Sequence, residues 1–519
     1  MFKQMKRMGT KGLLAGLLAM STAAGCSSNA NTGQPQGGDG GMDGKPIQIT
    51  WLSFNPPEND NSPVQKALEK KFNVQIKNIR IERQNYREQI NLKISGGEVP
   101  DLIYLDGPND IYDLANQGVL AELPEKEIRS KMPAYAKSVD EADPKLWKNG
   151  LVDGKSFAVP LYWPAGRLPF LPGYNGDWLK KIGYDHAPRT LQEFEDVLRK
   201  FRDNDPDGNG KKDTIGYSGQ GADNRTFQIV MAAYQVKWGW MADDKGTIYQ
   251  GLTTDKMREA LKLLNRWYKE GLIDREFITK KVEDAHQDFI NGKVGIRDWQ
   301  SFQFEKRMGI IAPRFYQKSP NTPIVVGKAL QGPYGEGMAM SYGTRNAFLA
   351  MGAQVTKDTA KKDRIYKMME ALATDDATYL LSVYGIEGEH YQMVGGKPIM
   401  KPEFSSEATK YKIGAGTFYG LFGNKSKAME KYDYPDDAIQ FMNSMESGVK
   451  IITPVDVFVP AQSKYPDLGK IEQEFFVKAI SGEINLDTEF NAFVDKWKKS
   501  GGDEILNEIN KKYAGVYKK

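Results

Sequence analysis

The sequence predicts an α/β protein of more than one lobe, on three observations. Between residues 47 and 117, apolar β-branched runs alternate with helical segments, the order that winds helices around a parallel sheet. At 519 residues the chain exceeds the ~100–200 typical of one domain. Its later part carries long amphipathic helices and no fixed-period repeat.

The elements follow in order. Residues 47–52 (IQITWL) are apolar and β-branched, a strand. Residues 62–72 (SPVQKALEKKF) read as a helix that Ser62 and Pro63 start, with Val64, Ala67 and Leu68 on one face. Residues 78–82 (NIRIE) alternate as a strand. In 86–95 (YREQINLKIS), Ile90 and Ile94 lie four apart on a helix that Gly96 and Gly97 stop. Residues 102–105 (LIYL) form a short buried strand, and 111–117 are helical. Further on, 255–270 places Met257, Leu261, Leu264 and Tyr268 on one stripe before Gly271, and 361–372 is similar. In 488–499, Phe490, Phe493, Val494 and Trp497 make another such face. Ligands on wound sheets sit beyond the strand C-terminal ends, which marks Phe54 and Asp106 as site candidates from topology alone.

Composition removes several classes. One cysteine rules out a disulfide scaffold and a Cys-based zinc finger. His186, His286 and His390 are far apart, with no metalloprotease spacing. The net charge is +4, and Lys3, Lys6, Arg7 and Lys11 alone account for it. The chain beyond them is formally neutral, so nothing points to nucleic acid. There is no nucleophile elbow, phosphate loop or dinucleotide fingerprint, and no carboxylate pair stands out. The expectation is a protein that is not an enzyme.

The N-terminus reads as an export signal. A basic stretch precedes a short apolar run at 13–20, too short to span a bilayer, and then AAGCSS at 23–28. This resembles the bacterial lipobox, with Ala23 where a larger aliphatic residue is usual. The resemblance makes 1–25 a signal peptide and Cys26 the lipidated mature N-terminus, carrying diacylglycerol and palmitate. Residues 26–45, rich in Gly, Ser, Asn and Gln, then form a flexible tether with a reach of roughly 20–25 Å.

Residues 203–216 read DNDPDGNGKKDTIG. Asp205, Asp207, Asn209 and Asp213 alternate around Gly208 and Gly210, a set of hard oxygen donors that suits a structural Ca²⁺. Position 12 of the loop is Gly216, so it is not an EF-hand. The alternative is a polar turn that binds nothing. Among the tryptophans, Trp178, Trp267 and Trp497 fit core stripes. Trp163, Trp238, Trp240 and Trp299 lie near turn residues, off any amphipathic stripe. Aromatic rings in a cleft suit the apolar face of a pyranose, with acids, amides and Arg reading its hydroxyls. The alternative for each is loop packing.

Several segments together carry a resemblance: the lipobox, 95–104 (SGGEVPDLIY), 153–160 (DGKSFAVP), 177–183 (DWLKKIG), 188–194 (PRTLQEF), 205–216, 289–295 (FINGKVG) and 479–486 (AISGEINL). In this order they resemble an extracellular solute-binding protein of the family 1 type, and more closely the LipO-like oligosaccharide-binding lipoproteins of Gram-positive bacteria. The resemblance implies a two-lobed periplasmic-binding-protein-like fold (type II). Each lobe is a sheet flanked by helices, and hinge crossings join them. Lobe 1 would comprise 46–163 plus 346–400, and lobe 2 would comprise 164–345 plus 401–519. Crossings would fall near 160–164, 341–346 and 400. It also implies a calcium loop held by Asp205, Asp207, Asn209, Lys211 through its carbonyl, and Asp213. Thr214 stands where the family often has Glu.

The function implied is capture of an oligosaccharide between the lobes. The sugar would then be delivered to the permease subunits of an ABC transporter, by a lipid-anchored monomer on the extracellular face of a Gram-positive cell membrane. Trp163, Trp238, Trp240 and Trp299 would stack on sugar, Asp106 and Arg345 would bind hydroxyls, and Phe54 would line the site. Trp299→Ala is expected to weaken binding without unfolding the chain. The alternatives are a secreted glycan-active enzyme, or a binding protein for a non-sugar solute such as a peptide.

Overall fold

The computed structural model describes residues 44–423, 425–513 and 515–518. The signal segment, Cys26 and all but the end of the tether lie outside the described residues.

The first elements are β1 (Ile47–Phe54), α1 (Pro63–Phe72), β2 (Val74–Ile81), α2 (Tyr86–Ser95), β3 (Leu102–Leu105) and α3 (Pro108–Asn116). Ser62 caps α1 by accepting from the Gln65 backbone N–H, and Asn73 closes it at φ 47°. β2 begins four residues before NIRIE because Val74 and Ile76 are buried as well. The remaining strands of the two main sheets are β4 (Ala158–Tyr162), β5 (Phe170–Asn175), β6 (Ile215–Tyr217), β7 (Val294–Gln300), β8 (Ile324–Val326) and β9 (Arg345–Met351). Later helices include α4 (Leu191–Asp203), α5 (Asp255–Glu270), α6 (Val282–Ile290), α7 (Leu468–Ser481) and α8 (Phe490–Trp497).

The first sheet has the order β2-β1-β3-β9-β4. β1 pairs in parallel with β2 and β3, while β9 runs antiparallel to β3 and β4, with Phe348 between Leu105 and Pro160. The second sheet has the order β8-β5-β7-β6. β7 is antiparallel to β5, with Gln300 beside Phe170, and parallel to β6, with Ile296 beside Tyr217. Two hydrophobic cores match the two sheets. The first draws on residues 49–162, 347–373 and 413–422. The second draws on residues 170–340 and 452–517. A small third cluster, including Leu168, Phe302 and Met442, sits where the chain crosses.

The expected third crossing near residue 400 is corrected by this packing. Phe418, Tyr419 and Phe422 are buried in the first core, and the Trp51 indole Nε1 donates to the Phe418 carbonyl at 3.0 Å. The chain re-enters the second core only at Ile452.

The strand directions decide where a ligand can sit. β4 leaves the first sheet at Tyr162, and β9 enters it at Arg345 beside Tyr162. The edge toward the second lobe is therefore the edge that holds the C-terminal ends of β1 and β3. In the second lobe β5 enters at Phe170, so the C-terminal ends of β7 and β6 point back toward the first. Two sheets thus present their carboxyl edges to each other across the crossings, the position at which wound sheets bind ligands.

The crossings are tightly apposed. A Cβ on Gly166 would lie 2.4 Å from the Gly343 carbonyl oxygen, and Gly343 has φ +79° with Pro454 2.9 Å from its own absent Cβ. Gly166→Ala forces the two crossing segments apart. It is expected to cost about 1–3 kcal/mol of stability, read by urea unfolding. A variant as stable as wild type would contradict the close approach.

Candidate ligand-binding cleft

The first sheet's edge assembles around three of the expected residues. Phe54 ends β1, with Tyr104 edge-on at 5.0 Å and Tyr86 at 6.1 Å. Arg83, two residues past β2, lies over the Phe54 ring at 4.7 Å. Its Nη1 donates to Asp106 Oδ2 at 2.7 Å, just beyond β3. That hydrogen bond holds the Arg83 guanidinium even more firmly charged. Arg345, at the start of β9, donates from Nη1 to the Asp106 carbonyl at 3.2 Å and forms an ion pair with Asp456. Asn149 also donates to Asp456, at 2.9 Å, so Asp456 ties its segment to the first lobe from two sides. The Tyr104 hydroxyl donates to Asn346 Oδ1 at 3.3 Å.

The second sheet's edge assembles around the other two. Trp299 lies on β7, with Phe170 edge-on at 5.7 Å. The Arg225 guanidinium lies 5.0 Å from the Trp299 ring. Arg225 grips Asp223 through Nε at 2.7 Å and through Nη2, and donates to the Tyr342 hydroxyl at 3.1 Å. Burial raises the Asp223 carboxyl, but the Arg225 hydrogen bonds outweigh it and hold it below the usual carboxylate value. Tyr342 stacks on Trp163 at 6.1 Å and 29°, and packs edge-on to Phe170 at 4.9 Å. Beside the crossings lies a cavity of about 230 Å³, lined among others by Asn149, Tyr342, Gly343, Arg345 and Asp456.

Behind Trp299 is a buried polar group. His286 on α6 packs edge-on to the indole at 4.8 Å. Arg297 Nε donates to His286 Nδ1 at 3.0 Å, and Arg297 Nη1 donates to Asp298 at 3.2 Å. All three residues are 1% exposed. Burial and then the Arg297 charge push the His286 imidazole down to about 3, so it is neutral at pH 7.

Two expected stacking residues lie elsewhere. Trp238 is buried, its ring against Phe476 at 4.8 Å and its Nε1 donating to Glu472 at 2.8 Å. Trp240 packs against Trp497. Glu472 on α7 also accepts from the Trp497 indole of α8, at 2.7 Å, so both tryptophans belong to this helix layer rather than to the facing edges. Trp299 itself is only 7% exposed and shares the second core. That corrects the expectation for Trp299→Ala, which must lose packing as well as affinity; burial of this kind costs about 3–5 kcal/mol on truncation. Three residues that sequence reading missed, Arg83, Arg225 and Tyr342, complete the edges. Arg83 carried the same signal as Phe54, a position just past a strand end. Arg225 did not, because β6 is only three residues long.

The aspartate loop joins α4 to β6. Asp205 accepts from the Asn209 and Gly210 backbone N–H groups at 3.2 and 2.8 Å. The Asn209 side-chain amide donates to Asp207 at 2.7 Å and to Asp213 at 3.0 Å. Lys211 donates its backbone N–H to the Asn209 side-chain oxygen at 2.8 Å. Among the described residues, no three acidic, His or Cys side chains are gathered as a metal-holding group. Thr214 is buried and donates to the Phe201 carbonyl at the end of α4, away from the loop.

The model of the bacterial extracellular solute-binding proteins matches residues 55–379. The chain belongs to this family. It is 26% identical to lipoprotein LipO of Bacillus subtilis, over 98% of this chain and 99% of that protein. It is 22% identical to the polygalacturonan/rhamnogalacturonan-binding protein YtcQ of the same organism, over 92% and 93%. Its fold is similar to that of the S. pneumoniae ABC-transporter substrate-binding protein FusA in complex with kestose. There the TM-score is 0.65 at 20% identity, covering 91% of this chain and 99% of that one.

Proposed function

We propose that this protein captures an oligosaccharide between its two lobes and delivers it to the permease subunits of an ABC transporter. It does so from the extracellular face of the membrane, where a lipid on Cys26 anchors it, and it binds rather than transforms its ligand. The observation that carries the reading is the pairing of the facing edges. Phe54, Arg83, Asp106 and Arg345 stand on one, and Trp163, Arg225, Trp299 and Tyr342 on the other. Rings, guanidinium forks and carboxylates are what stacking on a sugar and reading its hydroxyls require. The names of YtcQ and of the FusA complex with kestose support a carbohydrate ligand.

The aspartate loop supplies all-oxygen donors, which fit Ca²⁺. Asp205, Asp207, Asn209, the Lys211 carbonyl and Asp213 would hold it, with Asn209 turning its oxygen inward in place of the amide that now bridges Asp207 and Asp213. The ion would fix the α4–β6 connection. A thermal-shift screen of the mature protein against oligosaccharide panels, with and without Ca²⁺, tests both readings. A sugar at 100 times its Kd adds about 2.7 kcal/mol of stability. Calcium raises the melting temperature of the wild type but not of Asp207→Asn. Silence across the panels removes the sugar reading, and no calcium response removes the metal.

A further inference from the structure

Resting on the oligosaccharide reading above, we infer that the ligand is an uncharged oligosaccharide and not a polyuronate. The observation is that each guanidinium named at the two edges has a carboxylate of the protein for a partner. Arg83 is held by Asp106 at 2.7 Å, Arg225 by Asp223 through two nitrogens, and Arg345 by Asp456. Arg167, at the crossing, is held by Glu446 at 3.0 Å and faces Glu430 at 3.6 Å. Arg297, behind Trp299, pairs with Asp298. Burial pushes the Lys425 ammonium down to about 8, so it still carries its charge at pH 7, and that charge is met by the carboxylates of Asp433 and Asp106.

The charge at the edges is therefore balanced before any ligand arrives. A guanidinium has five N–H donors, and a carboxylate has spare lone pairs. Each bonded pair still offers donors and acceptors side by side. A hydroxyl both donates and accepts, so a neutral polyol satisfies such pairs without disturbing them. A uronate differs in kind. Its carboxylates need cations that are free of counter-ions, and here they would meet Asp106, Asp223 and Asp456 first. Like-charge juxtaposition of that sort disfavours the uronate.

Titration calorimetry on the mature protein distinguishes the classes. One set of ligands is neutral, comprising kestose, nystose and the xylo-, manno- and galacto-oligosaccharides. The other set is oligogalacturonates of matching length. The expected result is that a neutral ligand binds at least about tenfold tighter than any galacturonate, with little change between low and high salt. A galacturonate that binds tighter overturns this inference and leaves the oligosaccharide reading standing. Binding by neither set overturns both. One variant checks the cause. Asp223→Asn strips the counter-charge from Arg225, and it should raise galacturonate affinity at least about threefold and lower that for the neutral ligand. Galacturonate affinity unmoved by Asp223→Asn overturns the role assigned to the paired carboxylates.

Discussion

Arg225→Met is expected to weaken oligosaccharide binding by roughly 10–100-fold and to leave the melting temperature within a few degrees of wild type. Arg225 is the hub of the second sheet's edge, joined to Asp223, Tyr342 and the Trp299 face. Hydrogen bonds to a charged group are worth about 1.5–3 kcal/mol, which sets the affinity loss. Methionine keeps most of the apolar stem against the indole, and Asp223, left without the guanidinium, keeps the backbone N–H of residue 225 as a donor at 2.8 Å and is a quarter exposed to water. Calorimetric titration and thermal melting on the same preparation separate the two effects. Equal losses in both would assign Arg225 to packing and move the site away from this edge.

The second large effect concerns pH. His286 accepts from Arg297 through Nδ1, which requires the neutral ring, and its folded pKa of about 3 lies far below the unfolded value of ~6.5. The contribution is fully present above pH ~6.5 and is lost as pH falls toward 3. Asp298 acts in the opposite sense. Burial raises its carboxyl to about 6, so its contribution is present below the unfolded value of ~3.9 and is lost as pH rises through 6. Between pH ~4 and ~6 the two slopes oppose, so His286 and Asp298 together change the stability little there. His286→Gln removes one arm. Its cost, measured by urea unfolding, should shrink by roughly 2–3 kcal/mol between pH 7 and pH 4.5. A cost that is the same at both pH values would contradict the neutral buried imidazole.

Much of the first lobe was legible because its elements announce themselves locally. Ser62–Pro63 begins a helix, Gly96–Gly97 stops one, and LIYL can only be a buried strand. From strand order alone Phe54 and Asp106 followed, and the structure sets them together with Arg83. The second lobe was harder. β6 has three residues and β8 three, and neither shows a period. Without them, the stretch holding Asp223 and Arg225 carried no address. Tryptophans off an amphipathic stripe were read as exposed, but Trp238 and Trp240 are held by helices more than two hundred residues away, a pairing that only tertiary packing creates. The segment around Phe418 and Tyr419 failed for the same reason, since its burial depends on Trp51 and Asn78 far up the chain.

The two sheet edges are expected to close on a sugar. Small-angle X-ray scattering tests it most directly, on the mature protein with and without a saturating oligosaccharide that has already raised its melting temperature. The expected result is a smaller radius of gyration in the complex, because the ligand favours the state in which both edges touch it. Binding with an unchanged radius of gyration would contradict closure and place the sugar on one lobe alone.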